Sequence, residues 1–396
     1  MKKGVQKFWR KHGRLVLGVA FGLLVLAWLL THRLGTLTGV SSSEYSVATT
    51  PIGWHGLWRY PLELPLQFMR SVIFWLRPHH GALLLRLPNA ILGGIGIIIV
   101  AALLRLWHGT RTALLATALF ACGAWTLHAS RLASSDVLYL LALPLLLLVA
   151  SVLPKRASNA WVWYGSLLAI SFVLNIPGLI WLVVWVLFWQ RNSLLSGWKH
   201  FSNWWQRSLS LLAGFIWLPL LAIAIWQQHG LWRSYLGLPE HFGAPLTLLK
   251  QLVAVPVHLF IRGPKLPDIW LGQAPVLDIF TLVACVLGIY FYARHWQANR
   301  SRLLAGCLVI ATLLIGLGGP VGFSLIVPLA YILAATGITY LLHEWLAVFP
   351  VNPLARSIGI GLVVVAVTLS CAYNLRSYFV AWPHNGVTYQ TFSRRL

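Results

Sequence analysis

Acidic side chains are nearly missing from this chain: seven of its 396 residues are Asp or Glu, against thirty Lys and Arg. Charged residues of either sign make up 9% of it. A soluble domain carries about a quarter, so a water-facing globular surface is excluded. Cysteine is scarce too. Cys122, Cys285, Cys307 and Cys371 all fall inside apolar segments, with neither metal-ligand spacing nor a disulfide framework, and read as small buried apolar residues. There is no coiled coil, no low-complexity tract and no clear internal repeat. The inverted repeats and the Gly/Pro-broken helices with buried charge that mark many transporters are also missing.

What is there is apolar. Hydrophobic residues make up 59% of the chain, and spans near the ~20 residues needed to cross a bilayer recur along its length. The 22 Trp gather near span ends, as Trp54, Trp58, Trp107, Trp204 and Trp205 do, which suits interfacial anchoring. The net charge of +23 would suggest nucleic acid in a soluble protein. In an integral membrane protein, Lys and Arg instead fix topology and touch anionic lipid.

About eleven spans are expected, near 15–30, 83–106, 112–128, 136–153, 160–174, 178–188, 209–226, 276–292, 303–317, 321–342 and 357–373. The basic N-terminal stretch, 1–14, reads as a cytoplasmic tail leading into an uncleaved first span, because Thr-His-Arg rather than a small-residue cleavage site follows Leu30. Alternate loops then carry Arg105 and Arg111, Lys155 and Arg156, Arg191, Lys199 and Arg207, Arg294, Arg300 and Arg302, and Arg356, as the positive-inside rule requires. Two external loops are long, 31–82 and 227–275. Each holds an apolar stretch expected to lie in the interface, 65–78 and 246–260. A short tail, 374–396, ends the chain, and the whole is expected to form one integral membrane domain, all α-helical.

On this topology most of the acid faces outward: Glu44, Glu63, Glu240 and Asp268 in the loops, with Asp136 and Asp278 at external span ends. Charge near a membrane core is costly and tends to be kept for a task or a partner. In H-A-S-R-L-A-S-S-D, Ser134 or Ser135 is placed to cap the fourth span, and Asp136 in its first turn suits the helix dipole. Arg131 is near enough in sequence to pair with Asp136, which by itself is an ordinary helix-capping arrangement. Glu63 has a similarly plain reading as a partner of Arg59.

R-L-P-N-A-I at Arg86–Ile91, a long apolar helix, a basic turn, a second apolar helix and S-R-L-A-S-S-D at Ser130–Asp136 resemble the membrane glycosyltransferases of the protein O-mannosyltransferase and aminoarabinose-transferase type. The resemblance is good from about Ser42 to Leu153. It is weaker afterwards, though Gly319–Gly337 is similar to a later family segment. It implies the GT-C fold, a bundle of transmembrane helices whose large first external loop carries two interfacial helices. It implies transfer of a sugar from a polyprenyl-phosphate carrier to a glycan, lipid or protein acceptor at the outer face of the cell membrane, with no nucleic-acid partner. Glu44 aligns with the second member of the family's acidic pair, and Glu63, before Pro65-Leu66, resembles a second acidic position. These two become the candidate catalytic acids, as bases or as ligands of a divalent metal ion. Arg59, Arg131, Asp136 and Lys265 become the candidate substrate and phosphate contacts. Arg70, Arg233 and Arg262 are further basic residues on the same face.

The chain departs from the family pattern at telling places. Ser43 stands where the pair's Asp would be, Leu64 replaces a basic residue, Ser135 replaces a Pro, and Gly322-Phe323-Ser324 occupies the place of an Arg-Tyr. A degenerate GT-C protein that binds carrier lipid or a partner without transfer therefore stands as the alternative, ahead of a lipid or solute transporter.

Overall fold

A computed structural model describes residues 2–49, 61–76, 81–265 and 272–394. Arg59, and with it the expected Arg59–Glu63 pair, lies outside the described residues, as do His79, His80 and Asp268. The secondary structure among the described residues is helical, apart from one isolated bridge between Val40 and Arg394.

The helices follow in order: α1 (Lys2–Thr31), α2 (Ser42–Thr49), α3 (Leu64–Leu76), α4 (Ala82–His108), α5 (Thr110–Cys122), α6 (Ala124–Arg131), α7 (Asp136–Arg156), α8 (Ala160–Leu174), α9 (Ile180–Trp189), α10 (Arg191–His200), α11 (Trp204–Phe215), α12 (Leu218–Gln227), α13 (Leu231–Tyr235), α14 (Pro245–Phe260), α15 (Ile279–Arg294), α16 (Asn299–Gly316), α17 (Val327–Val348), α18 (Pro353–Arg376) and α19 (Gly386–Thr391). Their starts follow from local chemistry. The Asn159, Asp278 and Asn352 side chains accept the first free amide hydrogens of α8, α15 and α18, and Pro245 and Pro353 open α14 and α18 where no amide hydrogen is missed.

The chain is a multi-pass membrane protein. Five described helices are long and apolar enough to cross a bilayer alone, and up to seven spans result if each bent pair is one. One of these pairs divides the expected span 112–128: α5 and α6 meet at Gly123 with a bend of 60°. The other, α11 and α12, bends by 44°. Between α8 and α9 the turn at Asn175-Ile176-Pro177-Gly178 separates two short apolar helices.

The core sits around the first half of α17, which is buried on all sides and packs closely against α15. A Cβ added at Gly288 would overlap the Leu333 carbonyl, and one at Gly337 the Ala284 carbonyl, so glycine lets the two backbones touch. α4 packs along α7 and against α5 and α6. Two described helices, α2 and α3, lie between α1 and α4, where the first long loop was expected to carry interfacial helices. The expected 246–260 stretch is α14, with Val255 and Leu259 buried.

Candidate active site

The first loop is fastened by a short local motif and one distant arginine. Ser41 precedes α2 and Glu44 is three residues on. Ser41 Oγ accepts the Glu44 amide hydrogen at 3.2 Å, and the Ser41 amide donates back to Glu44 Oε2 at 3.3 Å, a reciprocal capping box. The same carboxylate accepts from Arg86 twice, Nε to Oε1 at 2.9 Å and Nη2 to Oε2 at 2.7 Å, and from the Ala133 amide at 2.9 Å. Arg86 also donates to the Leu34 and Gly39 carbonyls, at 3.0 and 2.7 Å. Glu44 and Arg86 are each 2% exposed. Both Glu44 oxygens are therefore occupied by donors, away from solvent. Ser43, in the place of the family's Asp, is exposed and shares a hydrogen bond with Ser41 Oγ.

Arg131 and Asp136 do not pair as the sequence suggested; the ion pair found among the described residues is Glu44–Arg86. Arg131 turns to the end of α1. Its guanidinium donates to the Leu29 and His32 carbonyls and lies over the Tyr378 and Phe379 rings, 5.5 and 5.0 Å from their centroids. The last carbonyls of a helix have no partner within it and attract cations, and this demand outweighs a nearby carboxylate. Ser135 precedes α7 without a side-chain cap to it.

Asp136 instead joins Glu63. Asp136 Oδ1 accepts from Ser324 Oγ at 3.0 Å, and Ser324 Oγ accepts in turn from Trp125 Nε1 at 2.8 Å. A Cβ at Gly322 would overlap the Asp136 carboxylate, so the departure from the family pattern at 322–324 makes the room that Asp136 and Ser324 use. Glu63 stands at the start of α3 with φ +59°, a left-handed conformation that costs a non-glycine residue energy and is kept only where neighbours enforce it. Those neighbours are visible. The Glu63 amide donates to the Asn175 carbonyl at 3.0 Å, and the Glu63 carbonyl accepts from Leu66 and Gln67. Burial raises the Glu63 carboxyl above its ordinary value, with nearby Asp136 adding to the rise and a Ser135 hydrogen bond and the Arg70 charge opposing it.

Arg70 lies seven residues beyond Glu63 and donates to Asn89 Oδ1 at 3.3 Å. Asn89 Nδ2 donates to the Ser134 carbonyl at 2.5 Å. Burial lowers Arg70 to about 10, against the pull of Glu63 and Glu44, so it stays charged at neutral pH, and its Nε has no partner among the described residues. Tyr139, one turn after Asp136, places its hydroxyl 3.2 Å from both the Pro177 and Pro320 carbonyls and ties two loops over the cluster. The arrangement gathers two acids and one arginine beside the ends of α3, α4 and α7. It can exchange a proton at Glu63 and stabilise negative charge at Arg70.

Lys265 is exposed on the loop after α14 and makes no hydrogen bond or ion pair among the described residues. Arg233 donates to the Glu240 carbonyl at 2.6 Å and Arg262 to Gln273, so both serve their own loop. No group of three or more His, Cys, Asp or Glu placed to hold a metal occurs among the described residues. Arg86 and Asn89 stand in the sequence within R-L-P-N-A-I. Their partners lie 19 to 52 residues away in sequence and could not be read from that text, whereas S-S-S-E carries the capping-box spacing that signals Glu44's local role.

No family model matches the sequence. The structure is similar over 94% of its length to ArnT from Cupriavidus metallidurans, covering 77% of that chain with a TM-score of 0.56 and 12% identity in the crystal bound to undecaprenyl phosphate. The apo crystal of the same protein gives 0.57. The Archaeoglobus fulgidus oligosaccharyltransferase tethered with an acceptor peptide matches 96% of this chain and 57% of its own, at a TM-score of 0.53 and 14% identity. The chain has the GT-C fold. In sequence it is also 29% identical over 185 residues to a plasma membrane ascorbate-dependent reductase of Xenopus laevis, a match spanning 41% of this chain and 64% of that one. That likeness covers under half of the chain, whereas the GT-C likeness takes in nearly all of it.

Proposed function

We propose that this GT-C protein moves a sugar from a polyprenyl-phosphate carrier to an acceptor at the outer face of the cell membrane, with the N-terminus cytoplasmic. The observation that carries the reading is Glu63, held left-handed beside Asp136 and Arg70 with its carboxyl raised by burial. In this reading Glu63 takes the proton of the acceptor hydroxyl or amine as that group attacks the sugar's anomeric carbon. The bond from that carbon to the phosphate oxygen breaks, and polyprenyl phosphate leaves with the electron pair. Arg70, whose Nε has no partner among the described residues, meets the charge that develops on the phosphate. Glu63 and Asp136 are the residues that would hold a divalent ion, since Mg²⁺ takes one or two carboxylates plus substrate phosphate. Such an ion would neutralise charge on the leaving group.

The carrier chain needs an apolar site. A cavity of about 420 Å³ between α1, α4 and α5, bordered by Leu26, Leu29, Ile97, Ala118 and Ala121, is almost wholly apolar. We assign Glu44 and Arg131 to holding the loop and α1 in place around the site. Arg59 and Lys265 remain proposed contacts to the acceptor or phosphate.

Ser43 favours a second reading, a carrier-binding protein without transfer, because the first member of the family's acidic pair has become a hydroxyl tied to Ser41. One experiment separates the two. Purified wild type and Glu63→Gln in liposomes are offered polyprenyl-phosphate sugars and envelope acceptors, and free polyprenyl phosphate is measured. Release by wild type and not by a folded Glu63→Gln supports transfer. Carrier that stays bound with no release from either protein supports the second reading.

A further inference from the structure

A polar cavity lies at the end of α7 opposite the acidic cluster. α7 runs 21 residues from Asp136 to Arg156, about 30 Å at 1.5 Å per residue, which is the apolar thickness of a bilayer. In its last turns the helix borders a cavity of about 370 Å³ lined by Trp107, Ser151, Lys155, Gln190, Asn192 and Arg300. α4, α7, the α9–α10 junction and the start of α16 each supply part of the wall.

The walls are fixed by their own hydrogen bonds. Trp107 Nε1 donates to Ser151 Oγ at 2.9 Å, and Ser151 Oγ donates to the Leu147 carbonyl at 2.6 Å. Gln190 Nε2 donates to the Ala150 carbonyl at 2.9 Å. The Arg300 guanidinium lies over the Trp107 ring, 4.5 Å from its centroid, which directs its charge along one wall. No acid lines the cavity, and neither Lys155 nor Arg300 has a carboxylate partner among the described residues. Glu344, near the end of α17, lies against Arg294 and Tyr340 instead.

Two unneutralised cations in a polar recess call for an anion, and the rest of the lining says which kind. Leu106, Trp189 and Leu303 border the same cavity, so an anion seated there has apolar surface beside it. A soluble phosphate has no use for that surface, whereas the first methylenes of an acyl chain do. We propose that this cavity binds the phosphate of an anionic glycerophospholipid from the leaflet opposite the acidic cluster, with Lys155 and Arg300 as its charge partners and Trp107 fixing Arg300. The site is separate from the transfer site and does not depend on the reading of Glu63.

The test uses the full chain in phosphatidylcholine nanodiscs with increasing phosphatidylglycerol. Retained phosphatidylglycerol is counted by native mass spectrometry, and its effect on thermal unfolding is followed. Wild type is expected to retain phosphatidylglycerol and to gain stability from it. Lys155→Gln/Arg300→Gln is expected to bind it about 30-fold more weakly. Because Arg300 packs on Trp107, exposed Lys155→Gln alone serves as a second variant, expected to bind about five-fold more weakly, with Lys155→Arg restoring retention. Lys199→Gln/Arg207→Gln, two exposed cations outside the cavity, controls for net charge. Equal retention and equal stabilisation in wild type and both cavity variants, or a loss matched by the control, overturns the proposal. So does stabilisation of wild type by inorganic phosphate that displaces the lipid, since the cavity would then belong to a soluble anion.

Discussion

Arg86 reaches back 42 residues to hold Glu44 through two parallel hydrogen bonds of 2.9 and 2.7 Å, both side chains buried. The planar guanidinium fits the carboxylate edge to edge and still reaches the Leu34 and Gly39 carbonyls. Removing one partner of such a pair strands the other charge in a dry site, at a cost of about 3–5 kcal/mol. Glu44→Gln and Arg86→Leu are therefore expected to lower the unfolding temperature of detergent-solubilised protein strongly. Arg86→Lys is expected to rescue little, because an ammonium cannot keep both Glu44 oxygens and the two carbonyls. A Glu44→Gln variant that unfolds with wild-type stability but has lost transfer would return Glu44 to the chemistry.

For Glu63 the expectation is the reverse: lost activity without lost stability. A carboxyl whose pKa is raised on folding holds its proton more tightly folded than unfolded. Its stabilising contribution is therefore full below the ordinary value near 4.5 and is lost as pH rises through the raised value. Glu63→Gln removes that loss and should unfold at or above the wild-type temperature at neutral pH, the difference closing towards pH 4.5. Transfer should fall by about 10²–10⁴-fold, the usual worth of a positioned acid or base. The acid limb of the wild-type kcat/KM profile should lie above the ordinary carboxylate range. An acid limb at the ordinary value, or full activity in the variant, would remove Glu63 from the mechanism.

Local signals in the sequence carried most of the helices. Asp136 begins α7 and 160–174 is α8, because helix starts and apolar lengths are written in adjacent residues. Gly123, inside the expected span 112–128, is such a signal as well, and the helix bends there by 60°. The roles of the charged residues were harder to see. Arg131 and Asp136 are five apart in sequence, yet each finds its partners elsewhere, Arg131 in carbonyls near residue 30 and Asp136 in Ser324. Glu44 looked like a free loop carboxylate because its partner lies on another helix. Glu63 could be named from the text of the first loop, but its neighbourhood with Arg70 and Asp136 exists only once α3, α4 and α7 have packed.

Arg131 gives a third test. Its removal leaves the Leu29 and His32 carbonyls without their donors at the end of α1, at about 1–3 kcal/mol for the buried Leu29 carbonyl and less for the half-buried one of His32. Arg131→Ala should expose the end of α1 to proteolysis and lower the unfolding temperature. Arg131→Lys, which keeps charge near the helix end but not the fork, should fall between the two. Because Arg131 does not touch Asp136, Asp136→Asn should leave α1 protected, whereas the pairing expected from sequence would have made the two variants alike. Limited proteolysis followed by mass spectrometry distinguishes these outcomes.

The apolar cavity between α1, α4 and α5 makes the carrier itself testable. Ala118 faces it from α5, while Leu114, one turn earlier on the same helix, is exposed and does not border it. Ala118→Trp puts an indole where the proposal places prenyl units. Displacing a few methylene groups at ~0.8 kcal/mol each weakens a long-chain donor by about tenfold or more. The loss should appear in KM for a long polyprenyl donor and not for a short-chain analogue, whose sugar and phosphate reach Glu63 and Arg70 without filling the cavity. Leu114→Trp, with the same bulk facing lipid, should change neither. Equal KM shifts for long and short donors would place the prenyl chain in another groove and leave this cavity to ordinary membrane lipid.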